Sequence, residues 1–176
     1  IVTISLGNDG EERILTELAR QWHQDGHKIT LIQTSPNRYG TEYALPEGIE
    51  QIQIHTTSSN KIIRFLQEIK VLIGILKKRP RATCLSFLSA SSFILAISSW
   101  FVKNRIVFSE RNNPRKVPVG KHQQMLRDFA FNFADAIVFQ TEDAKSYFSH
   151  TIQSRGHIIP NPINGNLPKP YEGERD

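Results

Sequence analysis

The chain has 176 residues, the usual size of one domain, with 39% hydrophobic and 22% charged side chains. That balance excludes a chain left disordered by low hydrophobicity and high charge, so one packed domain is the starting expectation. The net charge of +5 is unevenly placed: residues 61–81 hold seven Lys/Arg against Glu68, residues 103–127 hold seven against Glu110, and the remainder nets −7. An acidic body with two basic segments points to an anionic partner, whether phosphate, membrane surface or nucleic acid.

Residues 1–6 open as a strand, Ile1-Val2-Thr3-Ile4-Ser5-Leu6, with neither a methionine nor a charged leader ahead of them. The sequence is therefore expected to start a few residues inside the natural chain, without a signal peptide. A helix is predicted near 11–24, where Ile14, Leu15, Leu18, Ala19 and Trp22 recur at three- and four-residue steps and Gly26 supplies the C′ glycine. Strands follow at 28–34 and 50–55, then a helix over 60–79. In that helix Ile62, Leu66, Ile69, Ile73 and Leu76 form a stripe that Phe65, Leu72 and Ile75 broaden. A strand at 83–88 and a helix at 90–102 come next. Residues 82–102 carry no charge and match a membrane span in length, but six serines and a strand-to-helix pattern argue for a soluble reading. The rest reads as strands at 105–109, 136–140 and 157–159, with helices at 121–134 and 142–149. The stripe Leu126, Phe129, Ala130 and Phe133 is assigned to the core.

Runs such as Arg105-Ile106-Val107-Phe108-Ser109 and Ala136-Ile137-Val138-Phe139 are continuous rather than alternating, as in strands covered on both faces. The fold class is therefore α/β, a three-layer, Rossmann-like, doubly wound and mainly parallel sheet. From Pro160 the text turns to prolines, glycine and a polar end, so 1–165 reads as the domain and 166–176 as the start of a linker or tail. The lone Cys84 cannot form an intrachain disulfide, which favours a reducing cytoplasmic setting.

Such sheets bind ligands at the carboxyl ends of their strands, near the point where strand order reverses. Three loops meet there. Gly7-Asn8-Asp9-Gly10 leads into a helix N-terminus suited to phosphate, although Asp9 with Glu12, or Asn8 with Glu11, also has the spacing of a capping box. Phe87-Leu88-Ser89-Ala90-Ser91 follows the fourth strand. Ser109-Glu110-Arg111-Asn112-Asn113-Pro114-Arg115-Lys116 follows the fifth and sends a carboxylate, a guanidinium and two amides from one strand end. Its plainer reading is a turn with a local pair between Glu110 and Arg111 or Arg115. The second strand ends in Gln33-Thr34, without the acid that would hold a dinucleotide ribose, which disfavours dinucleotide-dependent oxidoreduction. Lys70, Lys77, Lys78, Arg79 and Arg81 either complement the dipole of the 60–79 helix or meet anionic lipid or a lipid pyrophosphate. The six histidines show no metal-ligand spacing, and no G-x-S-x-G elbow occurs.

The ordered set of motifs resembles family 4 glycosyltransferases. Gly7-Asn8-Asp9-Gly10-Glu11-Glu12-Arg13 is similar to the family's G-G-A-E-R loop, with Asp9 and Glu11 in place of the first glycine and the alanine. Gly26-His27-Lys28-Ile29-Thr30-Leu31 is similar to its G-H-x-V-x-L entry into the second strand. Phe87-Leu88-Ser89, Ser109-Glu110-Arg111-Asn112-Asn113-Pro114, Ala134-Asp135-Ala136-Ile137-Val138 and Ile159-Pro160-Asn161-Pro162-Ile163 continue the match to about residue 165. Ser-Glu-Arg-Asn-x-Pro resembles the branch that builds bacterial surface polysaccharides and lipid-linked oligosaccharides.

The resemblance implies the N-terminal, acceptor-side half of a GT-B enzyme that retains anomeric configuration, without a bound metal or tightly held cofactor, and with a nucleotide-sugar as co-substrate. The donor-gripping C-terminal domain is absent from these 176 residues, so this part alone is expected to be inactive. The acceptor is expected to be a saccharide or polyprenyl-linked. Glu110, where many relatives have histidine or aspartate, is expected to orient it, with Arg111, Asn112, Gly7, Asn8, Gly10 and Ser89 contributing contacts. A cytoplasmic location, peripheral to the inner membrane face, follows. Two other readings are a stand-alone Rossmann-type nucleotide enzyme and a non-catalytic basic binding module. Few aromatics interleave with the Lys/Arg, which argues against nucleic acid.

Overall fold

The computed structural model describes residues 1–4, 10–35, 45–87, 90–116 and 120–161. Seven parallel strands pair in one sheet, in the order β3-β2-β1-β4-β5-β6-β7. They are β1 Val2–Thr3, β2 Thr30–Gln33, β3 Glu50–Gln53, β4 Thr83–Phe87, β5 Arg105–Ser109, β6 Ala136–Phe139 and β7 Gly156–Ile158. The helices are α1 Gly10–Gln24, α2 Lys61–Lys77, α3 Ala90–Ser99, α4 Lys121–Asn132 and the short α5 Glu142–Ser146 and α6 His150–Gln153. Every strand expected from the sequence is present and the sheet is wholly parallel. The α6 turn is an addition to the sequence reading. The linker assigned to 166–176 lies outside the described residues.

Strand order reverses between β1 and β4. Right-handed crossovers then put α1 on one face and α2, α3 and α4 on the other. Packing agrees, because neighbouring residues of one strand go to different cores. Leu31 joins Ile14, Leu15 and Ala19 of α1, whereas Ile32 joins Leu72 of α2, Leu95 of α3 and Phe131 of α4. Phe108, Phe131 and Phe139 are fully buried, and each such ring stabilises the fold by about 1.5–3 kcal/mol. Gly26 ends α1 as the sequence predicts: φ is +86°, its N–H reaches the His23 carbonyl at 3.0 Å, and the His27 N–H reaches Trp22 at 2.9 Å.

Residues 82–102 divide between β4 and α3. Three of their serines are spent on internal hydrogen bonds: Ser92 Oγ donates to the Phe87 carbonyl at 2.8 Å, and the Ser86 and Ser91 hydroxyls are 3.1 Å apart. Among the described residues no helix is long and apolar enough to cross a membrane.

Two helices correct the sequence reading. In α4 the inward positions are Arg127, Ala130 and Phe131, whereas Leu126 is 40% exposed and Phe129 and Phe133 are half-buried. The buried stripe is thus turned by one residue from the expected one. In α2 Ile69, Leu72 and Leu76 face the sheet, while Ile62 and Leu66 are exposed. Both helices carry more apolar side chains than one face can hold: in α2 the expected stripe is the buried one from Ile69 onward and only its first members, Ile62 and Leu66, stay out, whereas in α4 periodicity picks the neighbouring stripe.

Candidate functional site

The loop after β5 stands at the carboxyl edge of the sheet. β5 pairs with β4 on one side and β6 on the other, and the Glu110 N–H extends the second ladder to the Val138 carbonyl at 2.9 Å. The Glu110 side chain turns inward and is 1% exposed. Its Oε1 accepts the Asn112 N–H at 3.1 Å, and Arg127 Nη1 lies 3.8 Å from Oε2. A charged partner of Glu110 is thus the inward arginine of α4, with the guanidinium also 4.6 Å from the Phe148 ring centroid and 5.3 Å from that of Tyr147. Two buried side chains of opposite charge thus face each other, and a carboxyl oxygen of Glu110 fixes the backbone N–H of Asn112.

Arg111 and Asn112 come out of that anchor. The Arg111 guanidinium sits 5.0 Å over the Phe87 ring at the end of β4 and donates through Nη2 to Asn161 Oδ1. It therefore bridges the β4 end, the β5 loop and the segment after β7. Asn112 is exposed. The following residues are tied down: Asn113 Oδ1 accepts the Arg115 N–H at 3.0 Å, Asn113 Nδ2 donates to Asp143 Oδ2 at 2.5 Å, and Arg115 pairs with Asp143 at 3.4 Å. The Arg115 candidate for a local pair with Glu110 is thus taken by α5. One half of the loop is a rigid turn and the other presents a cation and an amide along the edge.

Of the other expected site residues, Gly10 is the first residue of α1. Gly7, Asn8 and Ser89 lie outside the described residues, as do the capping candidates Asn8 and Asp9. At the opposite end of α2 the basic cluster splits. Arg79 Nη2 donates to Glu50 Oε1 and Oε2 at 2.7 and 2.8 Å, and its Nη1 to the Ile75 carbonyl at 3.2 Å. Hydrogen bonds from Thr30 and Arg79 lower the Glu50 pKa. Lys70, Lys77, Lys78 and Arg81 are exposed. The sequence reading missed Arg127, Asp143 and Asn161 as partners. Arg127 is detectable only as a charge three and four residues before Ala130 and Phe131, which requires giving up the more apolar stripe.

A parallel sheet in this order, with polar groups gathered at the carboxyl edge beside the reversal point, defines a Rossmann-like domain of the kind that forms half of a GT-B fold. The family model Glycosyltransferase Family 4 matches residues 8–166. The chain belongs to that family.

Solved structures share the fold. UDP-GlcNAc 2-epimerase from Methanocaldococcus jannaschii is 14% identical with a TM-score of 0.67, over 91% of this chain and 45% of that one. Anabaena HepE in complex with UDP and glucose is 11% identical with a TM-score of 0.68, over 93% and 44%. UDP-GlcNAc 2-epimerase from Neisseria meningitidis bound to UDP-GlcNAc is 11% identical with a TM-score of 0.57, over 92% and 46%. The chain thus spans less than half the length of these proteins. A comparison with curated protein sequences finds no match.

Proposed function

We propose that the chain is the N-terminal, acceptor-side domain of a glycosyltransferase that moves a sugar from a nucleotide-sugar donor to a saccharide or polyprenyl-linked acceptor. It does so with retention, in the synthesis of cell-envelope polysaccharide or glycolipid. The family match over residues 8–166 carries the reading, and the placement of Arg111 and Asn112 at the carboxyl edge supports it. The acceptor hydroxyl attacks the anomeric carbon, the nucleoside diphosphate departs and the hydroxyl proton is released. A site for this chemistry needs donor-binding groups facing the edge, so the 176 residues alone are inactive and a second domain of the same protein completes the site. UDP-sugars are the first donors to try, because the similar structures hold UDP, glucose or UDP-GlcNAc.

In this reading Arg111 and Asn112 hold polar acceptor groups. Glu110 acts on the acceptor through them, because its carboxylate fixes the Asn112 N–H from a buried position. The protein works in the cytoplasm, peripheral to the inner membrane face. The buried Gln33 and Thr34 at the end of β2 offer no carboxylate for a dinucleotide ribose, which supports a sugar-transfer over an oxidoreductase reading.

The test is radiolabelled sugar transfer from a panel of nucleotide-sugars to a lipid extract, with the 176 residues alone and with the longer gene product that contains them. Label in lipid only with the longer product supports the proposal. No transfer from any donor by the longer product, or equal transfer by the short chain, overturns it.

A further inference from the structure

Leu126 and Arg127 are neighbours on α4, and the helix turns the charged one inward. The Arg127 side chain is 4% exposed, whereas Leu126 is 40% exposed and Met125 63%. Core stability asks for the opposite choice. Replacing a buried ion pair by apolar side chains of like volume is often neutral or stabilising, so a guanidinium carried inward in place of a leucine has a use other than stability.

Packing and charge, more than hydrogen bonding, hold that guanidinium. It lies 4.6 Å from the Phe148 ring centroid and 5.3 Å from that of Tyr147, and its Nε donates to Asp128 Oδ1 at 3.1 Å. Nη2 has no hydrogen-bond partner among the described residues. Nη1, at 3.8 Å from Glu110 Oε2, is beyond hydrogen-bond length and acts through its charge. A planar cation set against two rings has its direction fixed independently of the acid it faces. A buried acidic side chain that loses such a cation is drawn toward water. Glu110 would then leave the place from which its Oε1 accepts the Asn112 N–H.

The rest of the loop leans on the same rings. The Arg115 guanidinium lies 5.7 Å from the Tyr147 ring centroid, and Arg115 is tied to Asp143 at 3.4 Å and to Ser146 Oγ at 3.3 Å. Asn112 is thus held through Glu110 and Arg127, and the turn after it through Arg115 and α5.

We propose that Arg127 is a positioning residue for sugar transfer. From inside α4 it keeps Glu110 inward, and Glu110 keeps the Asn112 backbone where the exposed Asn112 side chain meets the acceptor. This deepens the function proposed above and rests on it for the role of Asn112. Arg127 touches no substrate, and its effect falls on the acceptor rather than on the donor.

The first readout needs no sugar. Amide hydrogen exchange by NMR compares the 176-residue chain with Arg127→Met, with Arg127→Lys, and with Arg127→Met combined with Glu110→Gln. The double variant removes both charges, which keeps the chain folded where the single Met variant is not. In it the Asn112 amide is expected to exchange at least about tenfold faster than in wild type, while the Ile106 amide, which donates to Asp135 Oδ2 at 2.7 Å, keeps its protection. Arg127→Lys retains a cation and is expected to fall between wild type and Arg127→Met. The second readout is steady-state transfer by the longer gene product. There kcat/KM for the acceptor is expected to fall at least about fivefold in the double variant and less in Arg127→Lys, with the donor KM nearly unchanged.

Wild-type exchange at Asn112 in the double variant overturns the proposal. So does an Arg127→Lys chain no better than Arg127→Met, which assigns the role to packing rather than to charge, or a loss of kcat that tracks stability with both KM values unchanged. Fast exchange at Asn112 without sugar transfer by the longer product overturns the function and leaves Arg127 holding the loop. Transfer that Asn112→Ala impairs, together with wild-type exchange in the double variant, does the reverse.

Discussion

Glu110 and Arg127 are a pair whose partners must be removed together. Arg127→Met leaves a buried carboxylate uncompensated and is expected to cost about 3–5 kcal/mol in urea unfolding. Adding Glu110→Gln is expected to restore most of it; equal stability of the single and double variants would show that the 3.8 Å contact does not matter. Glu50 and Glu68 respond to pH in opposite senses. The Glu50 pKa is lowered from 4.5 by Thr30 and then by Arg79, so its contribution is complete above pH 4.5 and lost as pH falls through the lowered value. Glu50→Gln should reduce stability at pH 7, by under about 1 kcal/mol at this exposed pair, and converge with wild type in acid.

Burial raises the Glu68 pKa above 4.5, against a smaller pull from Arg64. Its ionised form costs stability above the raised value, and the cost fades toward 4.5. Glu68→Gln should therefore stabilise at pH 8 and lose that advantage on acidification; a melting-temperature series from pH 4 to 8 separates the two signs. Cys84 is 3% exposed, and burial pushes its thiol up to about 11. A thiol reagent at pH 8 should label it only after unfolding. Labelling of the native chain as fast as in denaturant would contradict the packing of β4.

At the scale of elements, β7 depends on a residue with no side chain. A Cβ at Gly156 would come 2.7 Å from Phe139 Cε2 and 3.1 Å from the Gln153 carbonyl. Gly156→Ala should cost about 1–3 kcal/mol, and β7 amides should exchange faster than those of β5. Strands β5 and β6 were legible in the sequence because strands covered on both faces read as near-continuous apolar runs. α1 was legible because it carries one stripe and a glycine stop.

α2 was legible as a helix with its buried stripe from Ile69 onward, and α4 as a helix but not in its orientation. Each has two apolar faces, and only packing shows that Arg127 goes in while Leu126 stays out. The position of the β5 loop followed from topology, and the family motif named its residues. Its partners did not follow, because Phe87, Arg127, Asp143 and Asn161 come from four other elements or segments. Nothing in local sequence pairs Arg111 with Asn161.

In the whole molecule, the polar loop after β5 occupies the carboxyl edge of the sheet, one strand from the point where strand order reverses. The chain spans 45% of one similar structure and 44% of another, and in the function proposed above it forms one wall of a cleft. In that function this wall holds the acceptor through Arg111 and Asn112. The most direct measurement is steady-state sugar transfer by the longer gene product carrying Arg111→Ala or Asn112→Ala, with KM determined separately for donor and acceptor. The expected result is that kcat/KM for the acceptor falls by at least about tenfold in each, with the donor KM nearly unchanged. Wild-type acceptor kinetics in both variants, or a loss confined to the donor, would contradict it.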